Sequence, residues 1–199
     1  MKARSKALLL LALCAVLLVA VSVLGTMAYL TSKTQVITNT FTVGDINVEL
    51  TETKPESRSA KIIPGVDIEK DPKVTVKANS EACWLFVEVK EKGTFVANKV
   101  TYSIADGWTK GDGTKIPANV YYRSVDAVTT DTDFYVLKGN EAHKNGVVIV
   151  SDTLTKADVN NINAENQPKL TFTAYAVQKD GIDTAAAAWE KVNATSGSN

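Results

Sequence analysis

Catalysis needs side chains that attack, bind metal or carry protons, and this chain is sparing with them. It holds a single histidine, His143, in 199 residues. A zinc-protease helix needs two histidines one turn apart, and a Ser–His–Asp triad needs a histidine between nucleophile and acid. His143 stands instead in Asn140-Glu141-Ala142-His143-Lys144-Asn145-Gly146, a polar run that reads as a solvent-facing loop. No G-x-S-x-G elbow, G-x-x-x-x-G-K-[ST] phosphate loop or G-x-G-x-x-G turn occurs. Asp131-Thr132-Asp133 and Gly111-Asp112-Gly113 could offer oxygens to calcium. Neither has alternating ligands closed by a bidentate glutamate, and turn formation explains both more simply. The expectation is a protein that is not an enzyme, with no catalytic, cofactor-binding or metal-binding residues.

The remaining reactive groups are few. Of two cysteines, Cys14 lies in an apolar N-terminal run and Cys83 in Cys83-Trp84-Leu85-Phe86-Val87. If the first run is removed, no internal disulfide can form, and Cys83 suits a core position. Trp84, Trp108 and Trp189 could form a ligand surface, but Trp84 suits the core. Trp189, after four alanines, suits the docking of a last helix. Asn193-Ala194-Thr195 fits a glycosylation acceptor on a polar tail. Lys plus Arg and Asp plus Glu each number 22. Loss of Lys2, Arg4 and Lys6 would leave a mildly acidic protein, which argues against nucleic acid or an anionic membrane as partner.

Those three cations open the chain and precede an uncharged run over residues 7–24, then Gly25-Thr26-Met27-Ala28. A positive head, an apolar stretch and a small-residue exit mark a secretory signal. The expected cleavage is between Ala28 and Tyr29, so membrane contact is confined to export. Retained, the run is close to the ~20 residues that span a bilayer and would anchor the protein with its body outside.

The rest reads as β structure. Ile46, Val48 and Leu50 share one parity, and a shift at Gly44-Asp45 suits a bulge. Residues 51–64 read as a solvated loop closed by a turn at Ile62-Ile63-Pro64-Gly65. Strands are predicted over 73–78, 82–90, 100–104, 119–125, 133–137, 147–151 and 169–178. Residues 108–113 read as a turn-rich connection. Helices are predicted over 156–162, with Thr155 as N-cap, and over 184–192, capped by Asp183. Short strands that do not alternate with helices argue an all-β sandwich or barrel. The domain reading is signal 1–28, extension 29–40, β domain 41–192 and polar tail 193–199. The C-terminus lacks an apolar anchor and an L-P-x-T-G-type sorting motif.

Gly25-Thr26-Met27-Ala28-Tyr29-Leu30-Thr31, then Asn39-Thr40-Phe41-Thr42-Val43-Gly44 and Ile46-Asn47-Val48-Glu49-Leu50, resembles the SipW-dependent signal region of the TasA and camelysin biofilm matrix proteins. Ile63-Pro64-Gly65-Val66-Asp67-Ile68-Glu69-Lys70-Asp71-Pro72-Lys73-Val74 is similar to that family's P-G-x-x-I-x-K-x-P-x-V segment. Residues 170–178 with 185–189 resemble the closing strand and helix of its BsaA-like branch. Residues 94–150 match poorly.

The resemblance implies a jelly-roll-like antiparallel β-sandwich with short peripheral helices, preceded by a signal helix. It implies secretion, cleavage by a dedicated signal peptidase, and self-assembly into extracellular biofilm matrix fibres, with accessory matrix proteins as further partners. By the same analogy residues 29–40, with Tyr29, Leu30, Val36, Ile37 and Thr38, form a donor strand that adds to a neighbouring subunit. An extended segment can add to an open sheet edge in this way, and a head-to-tail contact that does not close gives a filament. The plain alternative is that 29–40 is the subunit's own first strand or a loose lead-in. The metalloprotease activity attached to the camelysin name is not transferred, given one histidine. A second function class is a cell-surface adhesin or carbohydrate-binding β-sandwich held by an uncleaved N-terminal segment.

Overall fold

The computed structural model describes residues 31–35, 46–53, 62–93, 95, 99–160, 162 and 168–196. The signal region, the expected bulge at Gly44-Asp45 and most of the 51–64 loop lie outside them. The described strands are β1 (Thr31–Gln35), β2 (Val48–Thr51), β3 (Ile68–Glu69), β4 (Lys73–Val76), β5 (Cys83–Lys92) and β6 (Val100–Tyr102). They continue with β7 (Thr109–Lys110), β8 (Val120–Val125), β9 (Thr132–Tyr135), β10 (Val147–Val150) and β11 (Lys169–Gln178). Helices α1 (Lys156–Asn160) and α2 (Ala185–Ser196) flank β11 in sequence. The fold is all-β, and every strand pairing is antiparallel.

One sheet runs β1-β11-β5-β8-β7, and two smaller ones run β2-β4-β9 and β3-β10-β6. The smaller sheets meet just past β6 and β9, where Ile104 bridges Leu137. There Ala105 N donates to Val136 O at 2.9 Å and Lys138 N to Ser103 O at 2.8 Å. The centre of the large sheet is the β5–β11 ladder, paired without interruption from Cys83 opposite Gln178 to Lys92 opposite Lys169.

The near-continuous apolar run of β5 follows from its burial on both faces. Cys83, Leu85, Val87 and Val89 join Phe172, Ala174 and Ala176 of β11 in the main core, against Ile46, Val48, Val74 and Val76. Phe86, Tyr175 and Val177 point the other way and are covered by α2. The predicted parity of Ile46, Val48 and Leu50 is seen in their burial. Trp189 stands 5.2 Å from the Phe86 ring and edge-on to Tyr175 at 5.4 Å, so it docks the helix as its position after the alanines suggested. Trp84 is half-buried at the rim of this second cluster, where its Nε1 donates to Ile182 O at 2.9 Å.

Three local readings are corrected. Residues 108–113 contain β7, because Thr109 and Lys110 pair with Tyr122 and Tyr121. The loop read over 51–64 starts only after Thr51, which closes β2 opposite Lys73. The cap of α2 is Thr184 and not Asp183: the Thr184 hydroxyl accepts from Ala187 N at 3.2 Å, and the helix then runs on to Ser196.

Candidate functional site

Residues singled out for chemistry are dispersed and already engaged. The N–H of His143 donates to Asn140 Oδ1 at 2.8 Å, and its Nδ1 lies 3.8 Å from Glu69 Oε2. Asp133 accepts from Lys73 Nζ at 2.8 Å and Thr75 Oγ1 at 2.6 Å, and the Lys73 bond holds its carboxyl below the ordinary range. Asp131 accepts from Ala78 N at 2.8 Å and is lowered by that bond and by Lys77. Asp112 accepts from Thr114, Lys115 and Ile116 N–H groups, which bring it down to about 2. These are strand clamps and a turn clamp. No group of three metal-ligating side chains occurs among the described residues.

Cys83 is fully buried and burial pushes its thiol up to about 12, so the thiolate needed for disulfide exchange is scarce. Trp108 donates its Nε1 to Tyr135 O at 2.9 Å. The Arg123 guanidinium lies over its ring at 5.5 Å and over Phe134 at 4.2 Å. Gly107, with φ near 87°, leaves room for it, since a Cβ there would stand 3.3 Å from Arg123.

The first feature with functional shape is a sheet edge. β1 lies on the outer edge of β11, from Thr31 opposite Val177 to Gln35 opposite Thr173. These five residues are the described part of the predicted 29–40 segment, and they pair within their own chain. Ala28, Tyr29, Leu30, Val36, Ile37 and Thr38 lie outside the described residues. β11 is thus bordered by β5 along its full length and by β1 along half of it. At the sheet's other edge, β7 is two exposed residues including Lys110, which are marks of an edge protected against pairing.

The second feature is an open cleft of about 440 Å³ lined by Lys90, Glu91, Tyr102, Lys110, Asn119 and Tyr121 among others. The Tyr102 hydroxyl donates to Glu91 Oε1 at 2.6 Å. Burial, then Glu91, pushes Tyr102 well above the phenol range, and Tyr121 is raised for the same reasons. Both phenols therefore stay protonated as donors. The sequence carries no motif for this group, because four separate stretches bring it together. Compared with family models, curated proteins and solved structures, the chain matches none.

Proposed function

We propose that this chain is a secreted structural subunit that polymerises into extracellular biofilm matrix fibres, as its resemblance to the TasA and camelysin proteins suggests. In this reading the domain is a jelly-roll-like sandwich. A dedicated signal peptidase removes a signal helix between Ala28 and Tyr29, and the freed segment 29–40 leaves its own sheet for a neighbour's. The observation that carries it is the edge position of β1 on β11. A strand there holds on by backbone hydrogen bonds along a ladder that a second copy's identical segment can occupy in the same register. Exchange costs little, because the pairing lost in one subunit is regained in the next. The repeated head-to-tail contact gives an open filament. Accessory matrix proteins could cap such a filament by the same edge.

Negative-stain microscopy of the mature protein beside a truncated form beginning at Phe41 tests this. Fibres are expected from the first and not from the second. Monomers under all assembly conditions, or fibres from both, would sink the donor-strand reading.

A second reading, favoured by the cleft, is a carbohydrate-binding surface protein held by an uncleaved N-terminal segment. Two tyrosines, a carboxylate, an amide and lysines suit a polyhydroxylated ligand. Intact mass of the exported protein separates the two, since an N-terminus at Tyr29 removes that N-terminal anchor.

A further inference from the structure

Lys70 belongs to the Pro64-Gly65…Lys70…Pro72 segment, to which fibre assembly assigns no role. Its Nζ lies 2.7 Å from Glu52 Oε1, with side-chain exposures of 10% and 2%. The other described lysine–carboxylate pairs are wetter on one or both partners. Lys73–Asp133 is 20% and 42% exposed, Lys99–Asp158 30% and 27%, and Lys138–Asp106 54% and 89%. The Phe172 ring, fully buried, covers the Lys70 ammonium at 5.6 Å. Next to the pair, Thr53 N donates to Asp71 Oδ1 at 3.1 Å and the Thr53 hydroxyl donates to Asp71 Oδ2. Two consecutive residues are thus locked to two consecutive residues. Lys70 N–H donates to Gly146 O at 3.1 Å, and Gly146 has no Cβ because one would stand 2.3 Å from the Lys70 carbonyl oxygen.

An ammonium and a carboxylate taken out of water carry a large desolvation cost, which their contact repays only in part. Passing one proton from Nζ to the carboxylate removes both charges and leaves an amine beside a carboxylic acid. The carbonyl carbon is one bond beyond Oε1, so attack at about 3–3.5 Å needs only a small rotation of either side chain. We propose that Lys70 and Glu52 condense spontaneously into an intramolecular isopeptide bond. The Lys70 Nζ–Glu52 Cδ bond forms, and a Cδ–O bond breaks. The departing oxygen carries the first transferred proton, takes a second from Nζ and leaves as water. Ammonium plus carboxylate become amide plus water, with no change of oxidation state and no co-reactant. Fixed backbones and a site poor in water favour the step. The cross-link would staple the segment after β2 to the link between β3 and β4, across 18 residues of sequence. It rests on the folded domain alone and is independent of fibre formation.

Intact-mass and tandem mass spectrometry of the folded exported protein test it. Wild type is expected to be lighter than its sequence by one water, with a branched proteolytic peptide joining Glu52 to Lys70. Lys70→Arg and Glu52→Ala are expected at full mass. Should either variant fail to fold, the wild-type mass still decides. Wild type that keeps its full mass after prolonged incubation in the folded state overturns the proposal, as does a water loss mapped to any other pair.

Discussion

Strand β11 has two covers of opposite kinds. Helix α2 closes one of its faces through side chains: Trp189 wedges against Phe86 and Tyr175, with Ala185, Ala188 and Val192 buried beside it. β1 closes one of its edges by a backbone ladder. A side-chain wedge recognises one shape, whereas a backbone ladder accepts any extended segment that can hold the register. On the assembly proposed above, the helix would be the fixed cover and the strand the exchangeable one. That division is what an assembling subunit needs, with a body that stays closed while one edge changes partner.

The comparison breaks most visibly at Trp189. Trp189→Ala removes a nearly fully buried indole and is expected to cost about 3–5 kcal/mol, from lost burial and the cavity left behind. Deleting residues 29–40 is expected to cost about 2 kcal/mol or less. Each ladder bond nets only about 0.5–1.5 kcal/mol, and ordering each residue takes back a similar amount. Urea unfolding of the two variants beside wild type gives the ranking. A deletion costlier than Trp189→Ala would make β1 part of the permanent core and remove the basis for exchange.

What the sequence reveals follows the same division. The two-faced burial of β5 is legible in Cys83-Trp84-Leu85-Phe86-Val87, since only a strand covered on both sides has no polar alternation. The four alanines announce α2, and Trp189 after them announces its docking. The helix's further extent is not legible, because Asn193, Thr195 and Ser196 are indifferent helix formers by themselves. Burial of Val192 ties down the turn from which they continue. β7 is invisible for a related reason. Thr109-Lys110 sits among glycines and aspartates, and only pairing with Tyr121 and Tyr122 makes it a strand. The cleft depends on contacts between four separate stretches, around residues 89–91, 102, 110 and 118–121, and no local pattern encodes that. The Lys70–Glu52 pair is hidden likewise: lysine and glutamate read as surface residues until the fold buries them.

A smaller effect sharpens the helix side. Thr184→Ala removes the hydroxyl that accepts the Ala187 N–H and is expected to cost about 1 kcal/mol. Asp183→Ala should be close to neutral, since no cap bond depends on it. Equal losses from the two, measured by urea midpoints, would return the cap to Asp183.

The smallest effect concerns a turn that supports the helix cover from below. Ile116 is 4% exposed in the cluster under α2, and its N–H is one of three donated to Asp112. Gly111 and Gly113 let the chain close around that carboxylate. A Cβ on Gly111 would stand 2.2 Å from Pro117 O, and Gly113 has a φ of 78°. Folded Asp112 titrates at about 2 against an ordinary 3.8, the backbone bond from Thr114 being the largest cause. A depressed carboxylate stabilises the fold at pH above its unfolded value and loses that contribution as the pH falls through the folded one. The advantage of wild type over Asp112→Asn in urea midpoint should therefore be full at pH 5–7, shrink below about 4 and vanish near 2. Because the turn braces Ile116 beneath α2 and lies far in the sheet order from β1, the acid loss should be the same with or without residues 29–40. A loss that depends on that segment would mean that the two covers of β11 are coupled, and the exchangeable edge could not be separated from the fixed face.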